Sequence, residues 1–136
     1  MKEQKLILVR GIPGSGKSTI AKDMLKLGYA DSHFETDMYF VNNGKYVFNA
    51  KKLQYAHEWC LEITRHHLLS YGETVVVSNT FTQKWEAANY IAIAKENKIK
   101  IEIVTCNHEY GSVHNVPEET LKKMRGRFVT DTSDWI

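Results

Sequence analysis

Cysteine is scarce in this chain, with only Cys60 and Cys106 among 136 residues. The two are far apart and lie among apolar neighbours, so they read as buried free thiols rather than a disulfide framework or a metal pair. Histidine does not change this. His57, His66, His67 and His114 show no metal-ligand spacing with the cysteines, and the adjacent His66 and His67 cannot face one ligand from a helix. Long hydrophobic runs are missing too. No uninterrupted apolar stretch approaches membrane-spanning length, and the first residues lack a secretory-signal pattern. The expectation is a cytoplasmic protein without a membrane partner. Nor is there a surplus of either charge. A net charge of +2 permits a phosphate-rich partner without arguing for one. No repeat, low-complexity stretch or linker breaks the chain, so residues 1–136 are expected to form one domain around one core.

What the chain does have is Gly11-Ile12-Pro13-Gly14-Ser15-Gly16-Lys17-Ser18, followed by Thr19. This fits the phosphate-binding pattern G-x-x-x-x-G-K-[ST] and sits between an apolar strand and a helix, as that loop must. Its three glycines let successive backbone N–H groups point at one anion. Lys17 adds a mobile positive charge, the Ser18 hydroxyl is suited to Mg²⁺, and the following helix directs its positive end at the same spot. The segment therefore predicts binding of a nucleoside triphosphate with Mg²⁺.

Around the loop, strands alternate with helices. Leu6-Ile7-Leu8-Val9 reads as a central strand buried on both faces. A helix from Lys17 carries Ile20, Ala21, Met24 and Leu25 inward and ends near Gly28. Residues 32–36 read as a second strand, and Asn42-Asn43-Gly44-Lys45 as a turn. Asn49 is expected to cap a long helix to about Ser70, with Leu53, Ala56, Cys60 and Ile63 inward. Val75-Val76-Val77 marks a third strand, and a helix capped by Thr82 follows, with Trp85, Ala88 and Ala92 on one face. Residues 100–106 form a fourth strand. A polar stretch over residues 107–115 leads to Pro117, which opens a last helix to about Arg127. The tail over residues 130–136 reads as loosely held, with Trp135 and Ile136 able to dock. The alternation predicts an α/β fold: a parallel sheet of about four strands with helices on both faces.

Ligands in such sheets bind beyond the carboxyl ends of the strands. That rule selects the residues just after each strand. Asp37 follows the second, where a carboxylate near a transferring phosphoryl group can accept the acceptor's proton or help hold Mg²⁺. A simple turn or cap is the competing reading. Ser78, Asn79 and Thr80 follow the third strand and serve substrate, metal or loop backbone. His108 and His114 follow the fourth. Arg125 and Arg127 are candidate cations for the charge that develops in phosphoryl transfer, unless the last helix is only a solvated face of Glu118–Lys122 and Glu119–Lys123 pairs. Among the aromatics near these positions, Tyr39 and Phe81 are the better candidates for stacking on a base, ahead of Tyr46 and Phe48.

Taken together, the chain resembles the small P-loop kinases related to the kinase domain of bacteriophage polynucleotide kinase, a group with AAA-type ATP binding. The likeness lies in the stretch from Arg10 to Thr19, in Thr36-Asp37-Met38-Tyr39-Phe40, and in Gly44-Lys45-Tyr46-Val47-Phe48-Asn49. It continues through Ala56-His57-Glu58-Trp59-Cys60, Val77-Ser78-Asn79-Thr80 and Trp85 to His114-Asn115-Val116-Pro117 with Met124 and Arg127. The resemblance implies a P-loop NTPase sheet in nucleoside-kinase order and transfer of the terminal phosphate of ATP to a hydroxyl. It makes Asp37 the general base and Lys17 and Ser18 the phosphate and Mg²⁺ ligands. The implied acceptor is a polynucleotide 5′-hydroxyl or a hydroxymethyl group on a modified base. Two features depart from the family. The lid over residues 107–127 is short, with Gly111-Ser112 where arginine is expected, and Ser78 stands where an aspartate is often found. A kinase for a small metabolite or nucleoside, or a non-catalytic ATP-binding module, are the other readings of the same core.

Overall fold

The computed structural model describes residues 3–106 and 116–136. Residues 107–115, with His108, His114 and the first part of the short lid, lie outside the described residues.

The central strand β1 (Lys5–Arg10) is buried along nearly its whole length because it has a parallel neighbour on each side. Those neighbours are β5 (Val75–Asn79) and β6 (Lys100–Thr105), and β2 (Ser32–Phe34) lies beyond β5. All pair in parallel, in the order β2-β5-β1-β6. The expected α/β fold with a parallel four-stranded sheet is what the chain adopts. The pleat sends alternate residues to opposite faces. Leu6, Leu8, Val75 and Val77 meet α2 (Leu53–Leu69) and α3 (Lys84–Glu96), whereas Ile7, Val9 and Val76 meet Ala21, Ile20 and Met24 of α1 (Lys17–Lys26).

Several details differ from the expectation. The second strand stops at Phe34, and Thr36–Phe40 winds a 3₁₀ turn instead. The chain then folds into a small hairpin, β3 (Val41–Asn42) with β4 (Lys45–Tyr46). Asn43 and Gly44 both take positive φ, the turn geometry that matches strand twist. Asn49 caps a short 3₁₀ turn, Ala50–Lys52, ahead of α2. The buried stripe of α2 is Ala56, Cys60, Thr64 and Leu68, leaving Leu53 exposed. In α3 the N-cap is Gln83 rather than Thr82, in a reciprocal pairing with Glu86. Ala87, Tyr90, Ile91 and Ala94 face the core there, whereas Trp85 is 72% exposed. That helix is apolar almost all round, so periodicity alone could not select its inner face. The last helix, α4 (Glu118–Arg127), starts after Pro117 as expected.

The tail is held, not loose. Arg10, the last residue of β1, is fully buried. Its guanidinium donates to the carbonyls of Phe81 (2.9 Å), Thr82 (3.4 Å) and Val129, and to the Thr105 hydroxyl (3.2 Å). It also lies 4.0 Å from the ring centre of Phe128 and 4.5 Å from that of Trp135. A buried cation is costly unless its donors are satisfied, and here carbonyls and two aromatic faces do so. Trp135, 3% exposed, closes that cage and joins the main core. Replacing Trp135 with alanine is expected to cost about 3 kcal/mol, since it both opens a cavity and uncovers the arginine. A urea-unfolding midpoint equal to that of the wild type would show that the tail does not carry this load.

Candidate active site

The register of β1 sets Arg10 beside Asn79 of β5 and Thr105 of β6, so three strand ends lie level. The segments that follow are then tied together. The Cys106 N–H donates to the Arg10 carbonyl (2.8 Å), and the Gly11 N–H to the Thr80 carbonyl (3.3 Å). A Cβ on Gly11 would run into the Ser15 hydroxyl and lie 3.1 Å from the Cys106 carbonyl oxygen, so this position takes no side chain. Gly14 and Gly16 hold φ of 85° and 89°, the left-handed region that side chains rarely adopt. Ile12 and Pro13 sit half-buried between them and β1. Helix α1 starts at Lys17 with no acid in its first turn, so none of its own carboxylates neutralises its positive end. Gly14, Gly16, Lys17, Ser18 and Thr19 line a recess of about 270 Å³ at that end. The Ser15 hydroxyl, 1% exposed, has no hydrogen-bond partner among the described residues. The loop is thus built as an anion cradle.

Charge is concentrated beside it. Burial draws the Lys17 ammonium below its ordinary pKa, while Glu35 and Asp37 act in the other direction. Asp37 is exposed within the 3₁₀ turn, and the Tyr46 hydroxyl donates to its Oδ1 at 3.4 Å. Glu35 is the residue that sequence reasoning missed. It is half-buried and extended, one step past the end of β2. The Ser78 hydroxyl donates to its Oε1 at 2.9 Å, and His33 Nε2 lies 3.2 Å from the same oxygen. Burial alone would push the Glu35 carboxyl up. Hydrogen bonds from His33, Ser18 and Ser78, with the charge of His33, outweigh that and hold it down at about 2.

The other sequence-selected residues fall in three groups. Asn79 accepts the Thr36 N–H on its side-chain oxygen (2.9 Å) and points its amide at Cys60 Sγ (3.8 Å), which pins the start of the Asp37 turn to β5. Thr80 meets the phosphate loop through its carbonyl. Tyr39 is 38% exposed and edges against Phe40 and Trp59. Phe81 is not available for stacking, because it is 3% exposed and packs on Tyr90. Arg127 donates to the Thr82 hydroxyl at 3.3 Å, just past Thr80, and Arg125 donates to Glu118 at 3.3 Å. Among the described residues, no cluster of His, Cys, Asp and Glu could hold a metal ion by itself. No described helix is long and apolar enough to cross a membrane.

The chain belongs to the AAA domain family, whose model matches residues 6–109. It is similar to human NEDD4-binding protein 2, at 35% identity over 96 residues, which covers 71% of this chain and 5% of that protein. The chain thus spans about a twentieth of that relative's length. Its fold matches a chain in the structure of the Pnkp1/Rnl/Hen1 RNA repair complex with a TM-score of 0.72 at 15% identity, over 94% of this chain and 45% of that one. It also matches the Mycobacterium tuberculosis APS kinase in complex with AMPPNP and APS, with a TM-score of 0.57 at 17% identity, over 90% and 69% of the two chains. The fold is that of a kinase-like P-loop protein.

The Asn79–Thr36 bond predicts an amide-exchange phenotype. Asn79→Ala leaves the Thr36 N–H without its acceptor and is expected to cost about 1–3 kcal/mol. Hydrogen exchange at Thr36 should speed up in that variant. Unchanged protection there would mean that something else holds the turn.

Proposed function

We propose that this protein is a Mg²⁺–ATP-dependent kinase that phosphorylates a hydroxyl of a nucleic acid or nucleotide, either a polynucleotide 5′-hydroxyl or a hydroxymethyl group on a modified base. The observation that carries the reading is the exposed carboxylate of Asp37, on a turn whose Thr36 N–H is bonded to Asn79 at the strand end beside the phosphate loop, where its charge reaches Lys17. A base facing the γ-phosphate is what transfer to an alcohol needs. In this mechanism the acceptor oxygen attacks the γ-phosphorus as Asp37 takes its proton. The bond to the β–γ bridging oxygen breaks, and ADP leaves with that electron pair. The amides of residues 11–18 and Lys17 hold the leaving diphosphate in line, so positioning and charge stabilisation carry most of the catalysis. Ser18 would hold Mg²⁺. Its hydroxyl is a hard oxygen ligand of the kind this ion prefers. When bound, the ion neutralises charge on the β- and γ-phosphate oxygens. Arg127, hydrogen-bonded beside the loop after β5, and Arg125, just before it on the same helix, supply cations for the transition state.

The surface next to Asp37 supports a nucleic-acid acceptor. Tyr46 and Phe48, each about half exposed, hold their rings 18° from parallel with centres 6.5 Å apart. Lys45, Lys51 and Lys52, all exposed, flank them in the chain. Aromatic faces for bases with cations for phosphates are the usual chemistry of single-stranded nucleic-acid sites. Tyr39 offers a further ring on the same turn as Asp37. The two buried free thiols fit a reducing compartment such as the cytoplasm.

Asp37→Asn is expected to abolish transfer of label from γ-labelled ATP while keeping nucleotide binding, and Lys17→Ala to weaken both. Normal turnover by the Asp37→Asn protein would remove Asp37 from the chemistry. Tyr46→Ala and Phe48→Ala should raise the KM for an oligonucleotide by about 5- to 100-fold, the range of one lost stacking contact, and leave the KM for ATP nearly unchanged. Pooled acceptors decide the class: DNA ends, RNA ends, modified-base DNA and free nucleosides. Label on free nucleosides alone would turn the reading to a small-metabolite kinase. Tight ATP binding with no label on any pool would turn it to a nucleotide-binding module.

A further inference from the structure

Phosphate-loop enzymes commonly carry an acid at the end of the strand beside the loop strand, where it assists the metal. Here β5 ends in Ser78 and Asn79, and neither is acidic. The neighbouring strand supplies what is missing. Val76 lies on the α1 face of the sheet, so alternation sends Ser78 to that face as well. The register pairs His33 with Val76, which brings His33 and, two residues on in extended backbone, Glu35 to the same side. Helix α1 opens on this face, and Ser18 is in its first turn. Backbone pairing thus gathers His33, Glu35 and Ser78, and the start of α1 adds Ser18, whose side chain hydrogen-bonds Glu35.

The geometry points to Glu35 as the positioning carboxylate for the divalent cation of the nucleotide: it takes the Ser18 hydroxyl proton in a hydrogen bond, so that the serine lone pairs are left for the ion. This rests on reading the recess as a Mg²⁺–nucleotide site. A hydroxyl that binds a cation through its lone pairs must give its proton to some acceptor, and a carboxylate is the strongest one available here. Glu35 is itself fixed. His33 Nε2 lies 2.7 Å from Ser78 Oγ, and Ser78 donates on to Glu35 at 2.9 Å, a chain that orients the carboxylate through Oε1. The His33 side chain is 4% exposed and that of Glu35 19%, so this is not a surface ion pair. Glu35 also places a negative charge beside Lys17 before any nucleotide arrives. Outer partners of this kind typically tune metal affinity by about 10- to 100-fold.

The test is a titration of the full chain with a fluorescent ATP analogue, in excess Mg²⁺ and in EDTA, for the wild type, Glu35→Gln and Ser78→Ala. The wild type should bind more tightly with Mg²⁺. Glu35→Gln should lose about tenfold or more of that enhancement. Its affinity in EDTA should stay the same or improve, because a negative charge near the triphosphate has gone. Ser78→Ala keeps the charge but frees the carboxylate, and should lose part of the enhancement. It also serves as the deciding variant if Glu35→Gln fails to fold. A Glu35→Gln protein with wild-type enhancement would sink the assignment, as would equal weakening with and without Mg²⁺, which is the mark of a purely structural residue. If only Ser78→Ala folds, full enhancement in that variant has the same consequence. Absence of any Mg²⁺ effect in the wild type would remove both this inference and the reading beneath it. Retained Mg²⁺ effects without phosphate transfer would sink the kinase reading alone and leave Glu35 in its role.

Discussion

The two-sided hydrogen-bond ladder of β1 is the constraint from which the rest follows. A strand paired in parallel on both edges has no freedom of register, because a slip of one residue would turn its core face toward the wrong layer. With register fixed, Arg10, Asn79 and Thr105 lie level, and the loops after the strands must gather at one edge of the sheet. The phosphate loop and the Ser78–Thr80 segment are neighbours for that reason, and the pairing of β2 with β5 brings the Glu35–Asp37 segment to the same edge. The same ladder divides the apolar residues between the two helix layers, so the core and the site are consequences of one pairing scheme.

Electrostatics completes what the backbone starts. Lys17 is pulled toward its neutral form by burial and toward its charged form by Glu35 and Asp37. The balance keeps a cation ready without leaving it unopposed. Glu35 is anchored by donors on two strands, whereas Asp37 is exposed and touched by one phenol. The pair therefore divides into a fixed acid beside the loop and an accessible acid facing outward, two environments for two carboxylates two residues apart.

Much of this was legible in the sequence, for identifiable reasons. Apolar runs such as Val75-Val76-Val77 mark parallel strands, and the glycine spacing marks the loop. The tendency of parallel sheets to bind ligands beyond their strand ends then selects Asp37. Glu35 was not legible, because its meaning depends on which strand lies beside which. Only the pairing of His33 with Val76 turns an acid next to a turn into a neighbour of Ser18. Its one sequence trace is the alternation of His33 and Glu35 on a strand that the eye ends too late. Trp85, Ala88 and Ala92 misled because α3 offers apolar residues in every direction. The fate of Trp135 was hidden because its partner, Arg10, is more than a hundred positions away in the chain.

That last contact bears on the order in which the fold is completed. Arg10 closes the central strand, yet the rings that cover it, Phe128 and Trp135, lie more than a hundred positions later in the chain. Because a chain is made from its N-terminal side, a guanidinium that belongs in the interior has only water for company until they emerge. The sheet can assemble beforehand, but its central strand is sealed only when that distant segment docks, which makes the segment a latch on work begun far earlier in the polypeptide.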